Sequence, residues 1–191
     1  KRNLELLSKN FSKQLNKLQN EIFLLAKNDF NINSTKQLGE IIFDKLKIPG
    51  GKKNKSGGFS TNSEVLESLA RQGYEIASLV LDWREISKLK NTYTESLTKN
   101  IYIKTNRVHT TFQMTGAQTG RLSSTDPNLQ NIPIKSKSGK EIRKAFVAEN
   151  EYKLVCFDYS QVELRLLAEI ANIEKLKKAF LESLDIHKLT A

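Results

Sequence analysis

VCFDYSQVELR, residues 155–165, contains a change of period that decides the fold class. Upstream, KLVCFD is a short apolar run of the kind that forms a buried strand. Downstream, SQVELRLLAEIA reads as a helix whose buried stripe is Val162, Leu166 and Ile170. A strand ending in Asp158 and passing at once into a helix would hold that carboxylate rigidly at the lip of a cleft. Magnesium takes a few carboxylate oxygens together with phosphate and water, so Asp158 and the neighbouring Tyr159 carbonyl suit part of such a site. Glu163 falls in the first helical turn, where the positive end of the helix dipole stabilises a carboxylate. Both acids also admit a plainer reading, Asp158 as an N-cap and Glu163 as dipole complementation.

Working upstream, RVHTTFQM (residues 107–114) alternates and is rich in β-branched and aromatic residues, which predicts a strand. Between it and KLVCFD, residues 115–133 are polar and rich in Gly, Ser, Thr and Asn, a loop too long for an idle connection. The first hundred residues read as helical. Leu4, Leu7, Phe11, Leu15, Leu18, Ile22 and Leu25 make the stripe of a helix reaching Ala26. TKQLGEIIFDKL follows the capping residues Asn33 and Ser34 and stops at Pro49 and Gly50. Thr61 with Glu64 forms a capping box for a helix ending near Gly73. From about Tyr74 to Leu97, Ile76, Val80, Trp83, Ile86 and Leu89 face a core, and Arg84, Lys88 and Lys90 lie on the outer face. GGKKNKSGG, residues 50–58, is a basic loop. The expected class is α+β: a helical region over 1–100, then, over 101–191, antiparallel strands with flanking helices.

The chain has 191 residues, 38% of them hydrophobic, enough for one domain or two small ones. Its 31 Lys and Arg against 21 Asp and Glu leave a formal charge of +10, which favours a polyanionic partner, nucleic acid before an anionic membrane. No apolar run approaches the roughly 20 residues that span a bilayer, and KRNLELLSKNF is no secretory signal, so export and membrane insertion are not expected. The single cysteine, Cys156, is expected to be a buried thiol in a reducing compartment. With only His109 and His187 beside it, far apart, a His/Cys zinc site is not expected.

DYSQVELR, Asp158 to Arg165, resembles motif A of the family A DNA polymerases, the bacterial DNA polymerase I type, with Val162 for the usual Ile. TGRLSSTDPNLQNIP, Thr119 to Pro133, resembles the template-primer segment of the same family. FNINSTKQL, KLKNTYTESL and DIHKLTA follow the family pattern in order, so the likeness covers nearly the whole chain. The resemblance implies a thumb over 1–100 and the front of a palm over 101–191, ending at the palm-to-fingers junction. It implies a template-directed DNA polymerase that extends a primer with deoxynucleotides by two-metal phosphoryl transfer.

On that resemblance, Asp158 and the Tyr159 carbonyl bind magnesium, two ions in the complete enzyme, and Glu163 is the steric gate against a ribose 2′-hydroxyl. Tyr159, Ser160 and Gln161 lie beneath the incoming triphosphate, and His187, just after Asp185, is near its phosphates. Arg121 reaches the minor groove at the primer end, where acceptors sit alike on every correct pair. Asn128, Gln130 and Asn131 lie near the duplex, although Asn and Asp-Pro also favour turns unaided. Lys88 and Lys90 contact duplex phosphates, and Arg165 also belongs to the DNA-binding set. Arg143 and Lys144 have a weaker claim to phosphates, and His109 is structural. "FQMTGAQTGR" departs from the family's usual Thr and Ala before the Gly-Arg pair. The fingers helix and the second metal-binding Asp of the family lie beyond the last residue, so the chain by itself is expected to be inactive. The expected partners are primer-template DNA and deoxynucleoside triphosphates, with no membrane, in a monomer of the bacterial cytoplasm or an organelle.

Two other readings suit the same residues. A metal-dependent nuclease would need three or four clustered acids, where Asp158, Glu163 and Glu169 are near in sequence. A non-catalytic basic module that binds duplex DNA fits the charge alone.

Overall fold

The computed structural model describes residues 1–53, 57–134, 136–182 and 184; His187 and the rest of DIHKLTA lie outside the described residues. The chain divides into two compact units, Lys1–Phe146 and Val147–Ala191.

In the first unit, helix α1 (Arg2–Ala26) buries Leu4, Phe11 and Ile22 of the expected stripe and half-buries Leu7, Leu15 and Leu18, but at its end it buries Ala26 and leaves Leu25 exposed. It ends where Lys27 adopts a left-handed conformation and the N–H groups of Lys27 and Asn28 return to the Leu24 and Phe23 carbonyls. Helix α2 (Thr35–Gly39) is capped by Ser34, whose hydroxyl accepts from the Gln37 N–H, and continues as a π-helical turn over Glu40–Lys45. Helix α3 (Ser63–Arg71) is capped by Asn62 through the Val65 N–H, not by the expected Thr61 capping box. The reason is that Thr61 is buried and committed elsewhere: its carbonyl and hydroxyl both accept from the Arg84 guanidinium.

Helix α4 (Glu75–Leu89) packs on α1 and α3, then widens into a π-helical turn over Lys90–Glu95 before the short helix α5 (Ser96–Lys99). The Thr94 and Thr98 hydroxyls bond back to the carbonyls of Lys90 and Thr94, the local competition that loosens a helical ladder. Helix α6 (Lys137–Arg143) packs against α1 and α4.

Two cores result. One gathers Ile22, Leu38, Ile42, Leu66, Val80 and Trp83; the other joins Leu4, Phe11, Leu89, Tyr93 and Leu97 to Ile142 of α6. Burying Ile142 alone contributes about 1.5–3 kcal/mol, which is why packing carries the first unit past Asn100 to Phe146. Gly139 lies so close to Pro133 that a Cβ there would stand 2.6 Å from the proline Cβ.

Among the described residues the strands form two antiparallel hairpins. β1 (Ile101–Tyr102) pairs with β2 (Arg107–Val108), and β3 (Thr111–Gln113) with β4 (Ser123–Thr125), placing Phe112 opposite Ser124. The single strand expected over 107–114 is thus divided at His109 and Thr110. The Thr110 hydroxyl bonds across the following loop to the carbonyls of Thr125 and Pro127.

In the second unit, helices α7 (Val162–Ile170) and α8 (Glu174–Leu181) pack as a hairpin. The expected strand at KLVCFD is not formed: residues 153–158 are irregular and exposed, and Cys156 is exposed rather than a core thiol. A strand is held by partners on its ladder, and among the described residues none pairs with this segment. The predicted stripe Val162, Leu166 and Ile170 is likewise exposed; α7 buries Ala168 instead, toward α8. Together, helices and small antiparallel sheets make an α+β structure.

Candidate nucleotide and nucleic-acid site

Asp158 stands in the exposed segment ahead of α7. It does not cap that helix: the N-cap is Gln161, in a left-handed conformation (φ 51°, ψ 39°) and without a side-chain capping bond. The plainer reading of Asp158 therefore loses its geometry. Glu163 lies in the first turn of α7, with the dipole in its favour. Tyr159 and Ser160 are exposed, and the side-chain oxygen of Gln161 is buried with no hydrogen-bond partner among the described residues. Arg165 turns back on this loop: its Nε donates to the Ser160 carbonyl at 2.9 Å, and its guanidinium lies 4.5 Å from the Phe180 ring centroid.

Among the described residues no three His, Cys, Asp or Glu side chains cluster for a metal ion. Asp158 and the Tyr159 carbonyl are hard oxygen donors and fit one side of a magnesium site completed by phosphate and water.

In the first unit, the segment after β3 reverses through Gly120, whose φ of +74° suits glycine, and delivers Arg121 to the surface. Beyond β4 a buried hydroxyl organises the loop. The Ser124 Oγ is 2.7 Å from the Thr110 Oγ1 and accepts from the Leu129 N–H at 3.0 Å. Asn128 and Gln130 serve the turn directly. The Asn128 side chain accepts from the Gln130 N–H, and the Gln130 side chain donates to the Leu122 carbonyl. The Asn131 carbonyl accepts from the Tyr93 hydroxyl, joining the loop to the widened turn after α4. Burial raises the Tyr93 pKa, keeping that hydroxyl protonated as a donor.

Lys88 is exposed, whereas Lys90 is 2.7 Å from Glu95, and that hydrogen bond, ahead of the charges of Lys90 and Lys99, lowers the Glu95 pKa. Arg84, expected on the outer face, is instead half-buried against Thr61, and burial lowers its pKa. Arg143 donates to the Ile132 carbonyl, and Lys144 pairs with Glu141. His109 is 2.7 Å from the Thr105 hydroxyl and stacks edge-on to Tyr102.

The structure thus brings Arg121, Asn128, Gln130 and Asn131 into one loop system, and Asp158 through Arg165 into one turn and helix start. Thr110, Ser124, Tyr93 and Phe180 were missed in the sequence. Each acts through a partner distant in the chain, and nothing in residue type separates Thr110 from Thr111.

The model of DNA polymerase family A matches residues 1–191, and this chain belongs to that family. The DNA polymerase I of Rhizobium leguminosarum is 49% identical over 175 residues, 92% of this chain and 17% of that protein. The thermostable DNA polymerase I of Thermus thermophilus is 47% identical over 189 residues, 98% of this chain and 22% of that protein. The chain therefore spans about a fifth of the length of these relatives. Among solved structures, the POL domain of Pol1 from M. smegmatis, in complex with DNA primer-template and dNTP, superposes with a TM-score of 0.86 at 37% identity, over 97% of this chain and 32% of that one. No helix among the described residues is long and apolar enough to cross a membrane.

Proposed function

We propose that this chain supplies the thumb, over 1–100, and the motif A part of the palm, over 101–191, of a template-directed DNA polymerase that adds deoxynucleotides to a primer end. The observation that carries the reading is the DYSQVELR turn: an acid freed from capping duty, then a helix whose first turn holds a second acid. Family membership over the whole chain supports it.

In this reading Asp158 and the Tyr159 carbonyl hold magnesium. Magnesium held there would supply a lowered pKa for the primer hydroxyl and neutralisation of charge on the phosphates. Glu163 occupies the space a ribose 2′-hydroxyl would need. Tyr159, Ser160 and Gln161 form the floor under the triphosphate, and His187 serves its phosphates. Arg121 senses the minor groove of the primer-end pair, while Asn128, Gln130 and Asn131 line the duplex path with their remaining polar groups. Lys88 meets duplex phosphates directly. Lys90 does so from its pair with Glu95, which a phosphate would have to displace. Phosphate contacts carry no sequence information, which suits an enzyme that copies any template. We further propose a monomer acting in the bacterial cytoplasm, in keeping with bacterial relatives.

The test is fluorescence anisotropy on a recessed primer-template, a blunt duplex and a single strand across a salt series, with Arg121→Ala alongside. Preference for the recessed junction, weakened by Arg121→Ala, is expected. Equal binding to all three, lost steeply with salt and unchanged by Arg121→Ala, would leave only a basic DNA-binding module. Magnesium-dependent cutting of duplex DNA would favour a nuclease.

A further inference from the structure

We infer, on the polymerase reading above, that Arg165 is a positioning residue: it clamps the turn between Asp158 and Glu163 onto helix α8 through the Ser160 carbonyl and the Phe180 ring. An arginine early in a helix faces the positive end of the dipole, so its place there calls for another reason. The contacts supply one. Nε donates a charge-assisted bond to Ser160 at 2.9 Å, and the guanidinium carbon Cζ is 4.5 Å from the Phe180 centroid, within cation–π reach.

Ser160 immediately precedes Gln161, which enters the helix in a left-handed conformation with no side-chain cap. Non-glycine residues keep such conformations where their surroundings hold them. The platform is itself braced, because Lys177 of α8 reaches Glu169 of α7 at 3.4 Å and the Asn172 side chain at 2.8 Å. Pinning the Ser160 carbonyl therefore limits how far Asp158, upstream, and Glu163, downstream, can swing. The clamp needs a ring-stacking plane and a directed N–H together, which lysine does not offer. It differs from a phosphate contact in what its loss would change.

The experiment measures hydrogen exchange of the peptide spanning 158–165 in the chain and in Arg165→Met, Arg165→Lys, Phe180→Leu and the Met/Leu double variant. The same proteins are titrated with recessed primer-template across a salt series. The full-length protein bearing each change is assayed for primer extension, with kcat and the KM for DNA separated. Expected are severalfold faster exchange in every single variant, no further gain in the double, unchanged DNA affinity and salt slope, and a kcat lower by about tenfold or more at constant KM. Untouched exchange, with weaker DNA binding and a salt slope reduced by about one, would make Arg165 a phosphate contact and overturn the inference. Coupled exchange in a wild-type full-length protein that extends no primer would overturn the polymerase reading, and with it the catalytic role, while leaving the clamp in place.

Discussion

Replacing Ser124 with alanine removes one oxygen from the centre of the loop that carries Asn128 and Gln130. That oxygen accepts from the Leu129 N–H at 3.0 Å and lies 2.7 Å from the Thr110 hydroxyl. Thr110 keeps the Thr125 and Pro127 carbonyls, so its loss is partial. The Leu129 N–H loses this acceptor. A buried donor left unsatisfied costs about 1–3 kcal/mol. Because Leu129 is half-buried, water recovers part of that, and about 1–2 kcal/mol is expected. For a unit of this size that lowers the melting temperature by about 3–6 °C. Thermal unfolding of the wild type, Ser124→Ala, Thr110→Val and the double variant measures it. The two sites should couple by at least about 0.5 kcal/mol. Preference for a recessed primer-template should fall in both single variants, since the loop loses its anchor while Arg121 remains. Ser124→Ala unfolding within about 0.3 kcal/mol of wild type, with additive Thr110→Val, would refute the argument.

Three further outcomes are expected. Tyr93→Phe keeps the buried ring but removes the bond to the Asn131 carbonyl, so stability should fall by about 0.5–1.5 kcal/mol in urea unfolding, with weaker binding at the primer junction. Gly139→Ala should destabilise despite alanine's helical preference of about 1 kcal/mol, because its Cβ would meet Pro133 at 2.6 Å and overpacking costs about 1–3 kcal/mol; unfolding midpoints decide the sign. The lowered Glu95 pKa means its bond to Lys90 stabilises above the ordinary carboxylate range and fades as pH falls through the folded value. Lys90→Met should therefore flatten that part of the acid stability profile by no more than roughly 1 kcal/mol, given the exposure of Glu95, and less in high salt.

The helices of the first unit were legible because their signals are local: a stripe at helical spacing, Ser34 before α2, the break near Gly73. Where two local signals competed, a distant residue decided. Thr61 and Asn62 are both good caps, and Arg84, reaching Thr61 from α4, leaves the task to Asn62. The alternation in RVHTTFQM correctly indicated extended backbone. It could not show that Thr110 would turn its hydroxyl to carbonyls on the far side of a loop, parting β2 from β3. The extent of the first unit was hidden for the same reason, because Ile142 joins a core begun by Leu4 and Phe11.

The candidate site separates what residue type reports from what it does not. An apolar run such as KLVCF reports side chains suited to cover; strand formation also needs neighbours on both the ladder and the face, and these are not encoded within the run. Hence Phe157 is 92% exposed, Cys156 is exposed, and Val162, Leu166 and Ile170 face outward although their spacing is helical. The acids behaved differently: Glu163 needed only its place in the first helical turn, which sequence specifies. Asp158 had two readings, of which spacing alone favoured the capping one, and the helix start at Val162, with Gln161 as N-cap, removes it. Arg165 carries the same lesson for charge. A cation in a basic chain suggests a phosphate, but the bond of Arg165 to Ser160 and its place over the ring of Phe180 on the next helix hold it along the surface of its own unit, the geometry from which its positioning role toward Asp158 is inferred.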